Sequence, residues 1–256
     1  MHDEIKAALA KIEASENVTV LHAVESGSRA WGFASPDSDY DVRFVYLRQP
    51  ADYLRLDQVR DVIEWQLDET LDVDGWDLAK ALRLAHKSNP TVFEWDRSPI
   101  VYQTTEAWQS ISTELNAYFL PKAGLHHYLS TAKSNYRGYL RGETVRVKKY
   151  FYVIRPLLAC RWILGNDSPP PMLIDELIEA ELEPALRPVV AELLDMKKSL
   201  PEIGVSPRIE ELNAYIEASI EELGDKIAAL PPDEVPGWEG LNDLFMRTLG
   251  WIHSTS

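Results

Sequence analysis

Residues 24–45, VESGSRAWGFASPDSDYDVRFV, decide how the rest of this chain is read. The apolar, β-rich run from Val18 to Val24 that leads into them predicts a first strand. Gly27, Gly32, Pro36 and the polar cluster Ser35-Asp37-Ser38 then break regular structure. Tyr40 to Leu47 restores it as a strand with Asp39-Tyr40-Asp41 at its head. Because side chains alternate along a strand, Asp39 and Asp41 share a face and Tyr40 points the other way. Two carboxylates on one face suit divalent cations. Phosphoryl transfer with two Mg²⁺ ions about 3.5–4 Å apart uses such a pair to clamp the attacking and leaving oxygens.

Gly27-Ser28 supplies the other half of that chemistry. Glycine allows a tight turn, and Ser28-Arg29-Ala30-Trp31 can open a short helix whose free N–H groups attract phosphate. Ten residues separate Ser28 from Asp39, enough for a short helix and a return loop to the adjacent strand. A triphosphate would lie between the Gly-Ser turn and the metals. Gly-Ser alone is common in turns, and Asp-x-Asp alone is common at solvated strand starts. Their order, spacing and context together point to nucleotide chemistry.

Outward from this stretch, Ile5, Leu9 and Ile12 recur at helical spacing and predict an amphipathic helix that covers a sheet. Val59 to Leu67 and Thr70 to Val73 predict two more strands. Asp77 stands where a helix N-cap belongs, before Leu78, Leu82 and Ala85 on one face, and Asn89-Pro90 ends that helix. Val92 to Trp95 reads as an aromatic turn leading to a last extended segment, Ser98 to Tyr102. Beyond residue 104 the strand signals fade, and 105–117, 122–142, 143–165, 184–199, 207–229 and 240–252 read as helices. Breaks fall at Pro121, Gly142, Pro169-Pro170-Pro171, Pro201, Pro231-Pro232 and Pro236-Gly237. The expected fold is α+β: a small mixed sheet with flanking helices over 1–104, then a helical domain over 105–256 that completes the nucleotide and acceptor cleft.

The 256 residues carry a formal net charge of −15, which argues against indiscriminate coating of nucleic acid. One cysteine, Cys160, excludes an intramolecular disulfide, fits a reducing compartment and sits in an apolar run expected to bury it. No apolar run approaches the roughly 18 residues of a membrane span, and the N-terminus has no apolar signal core, so a soluble cytoplasmic protein without membrane partners is expected. His22, His86 and His126-His127 lack cysteine partners and ligand spacing, and are expected at the surface or in the core rather than on zinc. Trp76, Trp95, Trp162, Trp238 and Trp251 are expected to pack, while Trp31 and Phe33 could wall a nucleotide.

The Gly27-Ser28 turn followed by Asp39-x-Asp41 resembles the signature of the polymerase-β nucleotidyltransferase superfamily. The segments GSRAWGFASPDSDYDVRFVY, LDVDGWDLAKALRLAHKSNP, FEWDRSPIVY and KKYFYVIRPLLACRWI resemble, more closely, the predicted nucleotidyltransferases associated with RNA ligases. That resemblance implies a small mixed sheet with three acidic residues, Mg²⁺ or Mn²⁺, and transfer of a nucleoside monophosphate from an NTP to an acceptor hydroxyl. Asp39 and Asp41 are the two matched carboxylates. The third comes from Leu71-Asp72-Val73 or Trp76-Asp77-Leu78. Asp72 is preferred because it lies within the extended segment, Asp77 has a competing duty as N-cap, and Asp74 is the third choice. RNA ends are one acceptor that the association implies. Protein and small-molecule hydroxyls stay open, as do base preference and oligomeric state.

From 126 to 162 the charge reverses, with Lys133, Arg137, Arg141, Arg146, Lys148, Lys149, Arg155 and Arg161 against one acid, Glu143. Lys148, Lys149, Tyr152 and Arg155 are candidates to line the cleft opposite the metals and bind the triphosphate or an acceptor phosphate, with Gly27, Ser28 and Arg29 on the other side. The competing reading is a set of solvated helix faces offset by acidic helices. For the whole chain, the alternative to an enzyme is a non-catalytic nucleotide-binding regulatory or antitoxin-like module.

Overall fold

The computed structural model describes residues 1–66, 70–199 and 205–254. The expected strand residue Leu67, the break at Pro201 and the packing of the Trp251 side chain fall outside the described residues. Helix α1 (His2–Glu16) buries Ile5, Leu9 and Ile12, as their spacing predicts, and ends on Asn17 at φ 52°, the left-handed conformation that asparagine tolerates better than most residues. Strand β1 (Val18–Glu25) follows, then a single turn, α2 (Gly27–Ala30), and β2 (Tyr40–Arg48). Strands β3 (Val62–Gln66), β4 (Leu71–Asp77) and β5 (Val101–Thr104) complete a five-stranded sheet of order β3-β4-β2-β1-β5. Strands β2 and β4 run parallel and the other neighbours antiparallel, so the sheet is mixed.

One face of this sheet packs under α1. Val20, Val42, Phe44, Tyr46, Ile63 and Val73 join Ile5, Leu9 and Ile12 in one buried cluster, whose removal from water is the main favourable term holding sheet and helix together. Strand β4 alternates strictly, with Leu71, Val73, Gly75 and Asp77 buried and Asp72, Asp74 and Trp76 only half-buried. Gly75 is required by packing, since a Cβ there would lie 2.2 Å from the Phe44 ring. The alternation therefore puts Asp72 on the face away from α1 and Asp77 on the face toward it.

Helices α3 (Leu78–His86), α4 (Pro90–Asp96) and α5 (Glu106–Leu115) flank the sheet. Residues 92–95, expected as an aromatic turn, are helical. Asn89 caps α4 by accepting from the Thr91 N–H at 3.0 Å, and Pro90 occupies the first helical position, where its missing N–H costs nothing. Asn89-Pro90 thus starts a helix, and the preceding one has already stopped before Ser88, which turns at φ 52°.

The remaining elements are α6 (Pro121–Tyr139), β6 (Thr144–Arg146), α7 (Lys148–Asn166), α8 (Ile174–Glu181), α9 (Arg187–Ser199), β7 (Val205–Pro207), α10 (Glu210–Ala229) and α11 (Glu239–Ser254). The helix expected over 143–165 begins only at Lys148, because β6 pairs antiparallel with β7 and buries Val145. Contacts gather into two compact units: 1–30 with 39–119 and 235–256, and 31–38 with 120–234. The division expected at residue 104 follows chain order. The first unit instead takes in α5 and α11, and the second takes in the loop 31–38. Cys160 is fully buried in α7, and burial pushes its thiol up to about 12. No described helix is long and apolar enough to cross a membrane.

Candidate active site

The parallel register of β2 and β4 sets Asp41 directly beside Asp72 and Arg43 beside Asp74. All four side chains leave the sheet on the face opposite α1. Arg43 reaches across both strands, with its Nη2 2.8 Å from Asp72 Oδ2 and 3.4 Å from Asp41 Oδ1. Asp41 carries a raised pKa. Burial is the largest cause, opposed by Arg43 and Arg29, and the charges of Asp72 and Asp39 raise it further. Asp39 is exposed, one residue before β2 begins, and is thus near enough for its charge to be felt at Asp41. Asp74 is raised too, by burial first, with Arg43 opposing and Asp72 and Glu64 adding repulsion. The structure gathers Asp41, Asp72 and Asp74 around one arginine, with Asp39 beside Asp41 at the head of the strand.

Asp77 stands apart from that group. It is buried on the α1 side, where Oδ1 accepts from the Ala79 N–H at 2.8 Å and Oδ2 accepts from the Tyr53 hydroxyl at 2.9 Å. Burial raises its pKa, and those two hydrogen bonds oppose the rise. Both oxygens are engaged in capping α3 and holding Tyr53.

Gly27 has φ +61°, a conformation that costs an L-residue roughly 1–2 kcal/mol, and a Cβ there would fall 2.1 Å from Asp41 Oδ2. The glycine is what lets the turn lie against the carboxylate. Ser28, half-buried, is the second residue of α2. Arg29 donates from Nε to the Asp39 carbonyl at 3.0 Å and stacks over the Tyr40 ring at 3.8 Å, which ties the turn to the head of β2. The Ser26 N–H donates to the Asp41 carbonyl at 2.8 Å, closing the turn onto the strand from the other side.

A fully buried acid, Glu25, supports this arrangement. It accepts from the Asp41 N–H at 2.8 Å and from the Tyr102 hydroxyl, and the Ser98 hydroxyl donates to its carbonyl at 2.6 Å. Burial raises its pKa, with the Tyr102 hydrogen bond the strongest opposing influence. Glu25 fixes the backbone from which Asp41 projects.

Lys148, Lys149, Tyr152 and Arg155 belong to the second unit. Lys149 Nζ lies over the Tyr139 ring at 3.9 Å and the Tyr152 ring at 4.9 Å, and Lys148 opens α7 half-buried. Arg155 is only 4% exposed. Its Nε donates to the Met172 carbonyl at 3.4 Å and its guanidinium stacks on Trp31 at 4.7 Å. These contacts bury Arg155 beneath the loop 31–38, which belongs to the same unit. Phe33, fully buried against Phe151 at 5.2 Å, is likewise core. Arg161 pairs with Glu222 of α10 at 2.9 Å, so part of the basic segment is offset by an acidic helix.

A sequence-family profile described as "RNA repair pathway DNA polymerase beta family" (RlaP) matches residues 1–247. The chain belongs to this family. A relative from Bacillus subtilis (strain 168), "Uncharacterized protein YcgL", is 42% identical over 255 residues, covering 96% of this chain and 94% of that protein. A solved nucleotidyltransferase-like protein from Exiguobacterium sibiricum 255-15 aligns with 88% of this chain and 75% of its own at 13% identity, with a TM-score of 0.33, a likeness too slight to carry functional weight.

Among the described residues no three His, Cys, Asp or Glu side chains converge closely enough to enclose a metal ion. The donor chemistry of this RlaP family member still fits one. Asp39, Asp41 and Asp72 offer only carboxylate oxygens, the hard donors that Mg²⁺ and Mn²⁺ prefer. Like charges crowding the partly buried Asp41 favour a cation beside it. Of the four histidines weighed against zinc, His22 is buried against Trp108, His86 stacks on Trp238 at 3.7 Å, and His126 and His127 are exposed. Sequence reasoning missed Arg43 and Glu25. The signal for Arg43 was its place two residues after Asp41, on the same strand face. For Glu25 it was an acid closing an apolar strand immediately before the glycine turn.

Proposed function

We propose that the protein is a metal-dependent nucleotidyltransferase that moves a nucleoside monophosphate from an NTP to an acceptor hydroxyl and releases pyrophosphate. The observation that carries this reading is the lateral pairing of Asp41 with Asp72 on parallel strands, with Gly27 closed against Asp41. Asp39, Asp41 and Asp72 would hold Mg²⁺ or Mn²⁺, which supplies positive charge to the transferring phosphoryl group and the departing pyrophosphate. Asp72, whose side chain is 49% exposed, can also accept the proton of the acceptor hydroxyl. Asp77 serves α3 instead. Gly27, Ser28 and Arg29, in the glycine turn and the first residues of α2, would face the β- and γ-phosphates. Lys148 and Lys149, with Tyr152 beside Lys149, remain proposed phosphate contacts of the second unit.

RNA ends are the favoured acceptor, on the strength of the family's description as part of an RNA repair pathway. The test is pyrophosphate release from each NTP with Mg²⁺ or Mn²⁺, run against RNA ends, protein hydroxyls and small-molecule hydroxyls. Release that depends on one acceptor class supports the reading and names the acceptor. Tight NTP binding by calorimetry without pyrophosphate release for any acceptor would replace it with a nucleotide-binding regulatory module.

A further inference from the structure

Arg43 lies two residues beyond Asp41 on β2, and its guanidinium spans the carboxylates of Asp41 and Asp72 at 3.4 and 2.8 Å. The same side chain is anchored on the backbone: Nη1 donates to the Val42 carbonyl at 2.9 Å and to the Asp72 carbonyl at 3.2 Å. It is 18% exposed, and its cross-strand neighbour is a further carboxylate, Asp74. This differs from a solvated surface pair, where two long side chains meet in water at little net gain. One cation here serves several acids that repel one another.

The carboxylate oxygens that Arg43 contacts are the ones a divalent cation would take. Mg²⁺ demands oxygens at about 2.0–2.1 Å in near-octahedral geometry, and a guanidinium on those oxygens opposes it both sterically and by charge. The inference rests on the reading of Asp41 and Asp72 as metal ligands. We propose that Arg43 is the internal counter-ion of the metal-free site, that a divalent cation has to displace it, and that the displaced guanidinium turns to phosphate oxygens of the bound nucleotide. Arginine suits that second role because its planar fork matches phosphate bidentately. Metal and nucleotide then bind cooperatively. A cation arriving alone must break the Arg43 contacts without compensation, whereas with a triphosphate present the freed guanidinium gains a new anionic partner.

The experiment measures free Mn²⁺ by electron paramagnetic resonance in titrations of the wild type, Arg43→Ala, Arg43→Gln and Asp41→Asn. Each is titrated with and without a triphosphate analogue carrying a methylene bridge between the α- and β-phosphorus atoms. Arg43→Ala and Arg43→Gln should bind Mn²⁺ alone roughly tenfold or more tighter than the wild type, the size of effect a neighbouring charge has on a carboxylate. The gain in Mn²⁺ affinity on adding the analogue, large in the wild type, should shrink by a similar factor in both. Arg43→Gln keeps amide donors toward the Val42 and Asp72 carbonyls, so it carries the comparison if Arg43→Ala folds poorly. Unchanged or weaker Mn²⁺ binding in both variants, with binding lost in Asp41→Asn, would overturn the counter-ion role and leave the metal reading standing. Wild-type Mn²⁺ binding in Asp41→Asn would overturn the metal reading itself and this inference with it.

Discussion

The Cβ that Gly27 lacks would fall 2.1 Å from Oδ2 of Asp41. The turn and the carboxylate occupy adjoining space so completely that one cannot change without moving the other. Gly27→Ala must therefore either push the Asp41 side chain aside or shift the turn, and it adds strain at φ +61°. We expect a stability loss of about 1–2 kcal/mol and a fall in nucleotidyl transfer of roughly 100-fold or more, the usual consequence of misplacing a reacting group by about 1 Å. Thermal melts and initial rates check the two effects separately.

Asp72 and Asp77 are five residues apart on one strand but face opposite sides of it. Asp77→Ala should destabilise the protein by about 1–3 kcal/mol, because α3 loses its cap and the Tyr53 hydroxyl loses its acceptor. The folded fraction should keep its transfer rate. Asp72→Ala should do the reverse, melting near the wild-type temperature with no measurable transfer. Full activity in Asp72→Ala together with loss in folded Asp77→Ala would reassign the third carboxylate.

The raised pKa of Asp41 has a definite sign. In the metal-free native state this carboxyl holds its proton to higher pH than it does unfolded, so stability falls as pH rises from its unfolded to its native pKa and stays lower above that. Asp41→Asn should therefore be more stable than the metal-free wild type at neutral pH, and the advantage should vanish below the ordinary carboxylate range. Denaturant titrations across pH check this. Mn²⁺ binding to the wild type should also tighten with rising pH over the same interval, because the ligand must be ionised.

Lys148 and Lys149 are half-buried in the first turn of α7, ahead of the buried run that anchors that helix. The double variant Lys148→Ala/Lys149→Ala should raise KM for NTP several-fold with kcat and melting temperature little changed, whereas Arg155→Ala should chiefly lower stability through the lost Met172 and Trp31 contacts. An unchanged KM for both NTP and acceptor would remove the lysines from the nucleotide site.

Local pattern made α1, β1 and β2 legible, because their apolar periodicities are those of one helix face and of buried strands. The same period of two is what pairs Asp39 with Asp41 on paper; in the structure Asp41 lies on β2 and Asp39 is exposed one residue before it. The parts that escaped depend on distant partners. Strand β6 is three residues long and exists because β7, about sixty residues later, pairs with it. Arg155 looks like a solvent-facing cation until Met172 and Trp31 close over it. Glu25 reads as an odd charge in an apolar strand until Tyr102, 77 residues on, gives it a hydroxyl. Arg43 was within reach, since the alternation that aligns the two acids also places an arginine beside them.

On the proposed function, Asp39 and Asp41 both support nucleotidyl transfer. The most direct test follows label from α-³²P-NTP into an acceptor panel with Mg²⁺ or Mn²⁺, comparing the wild type with Asp39→Ala, Asp41→Ala and the double variant, all verified as folded. Transfer by the wild type and none by the three variants is the predicted result; a folded double variant that transfers label at the wild-type rate would contradict it.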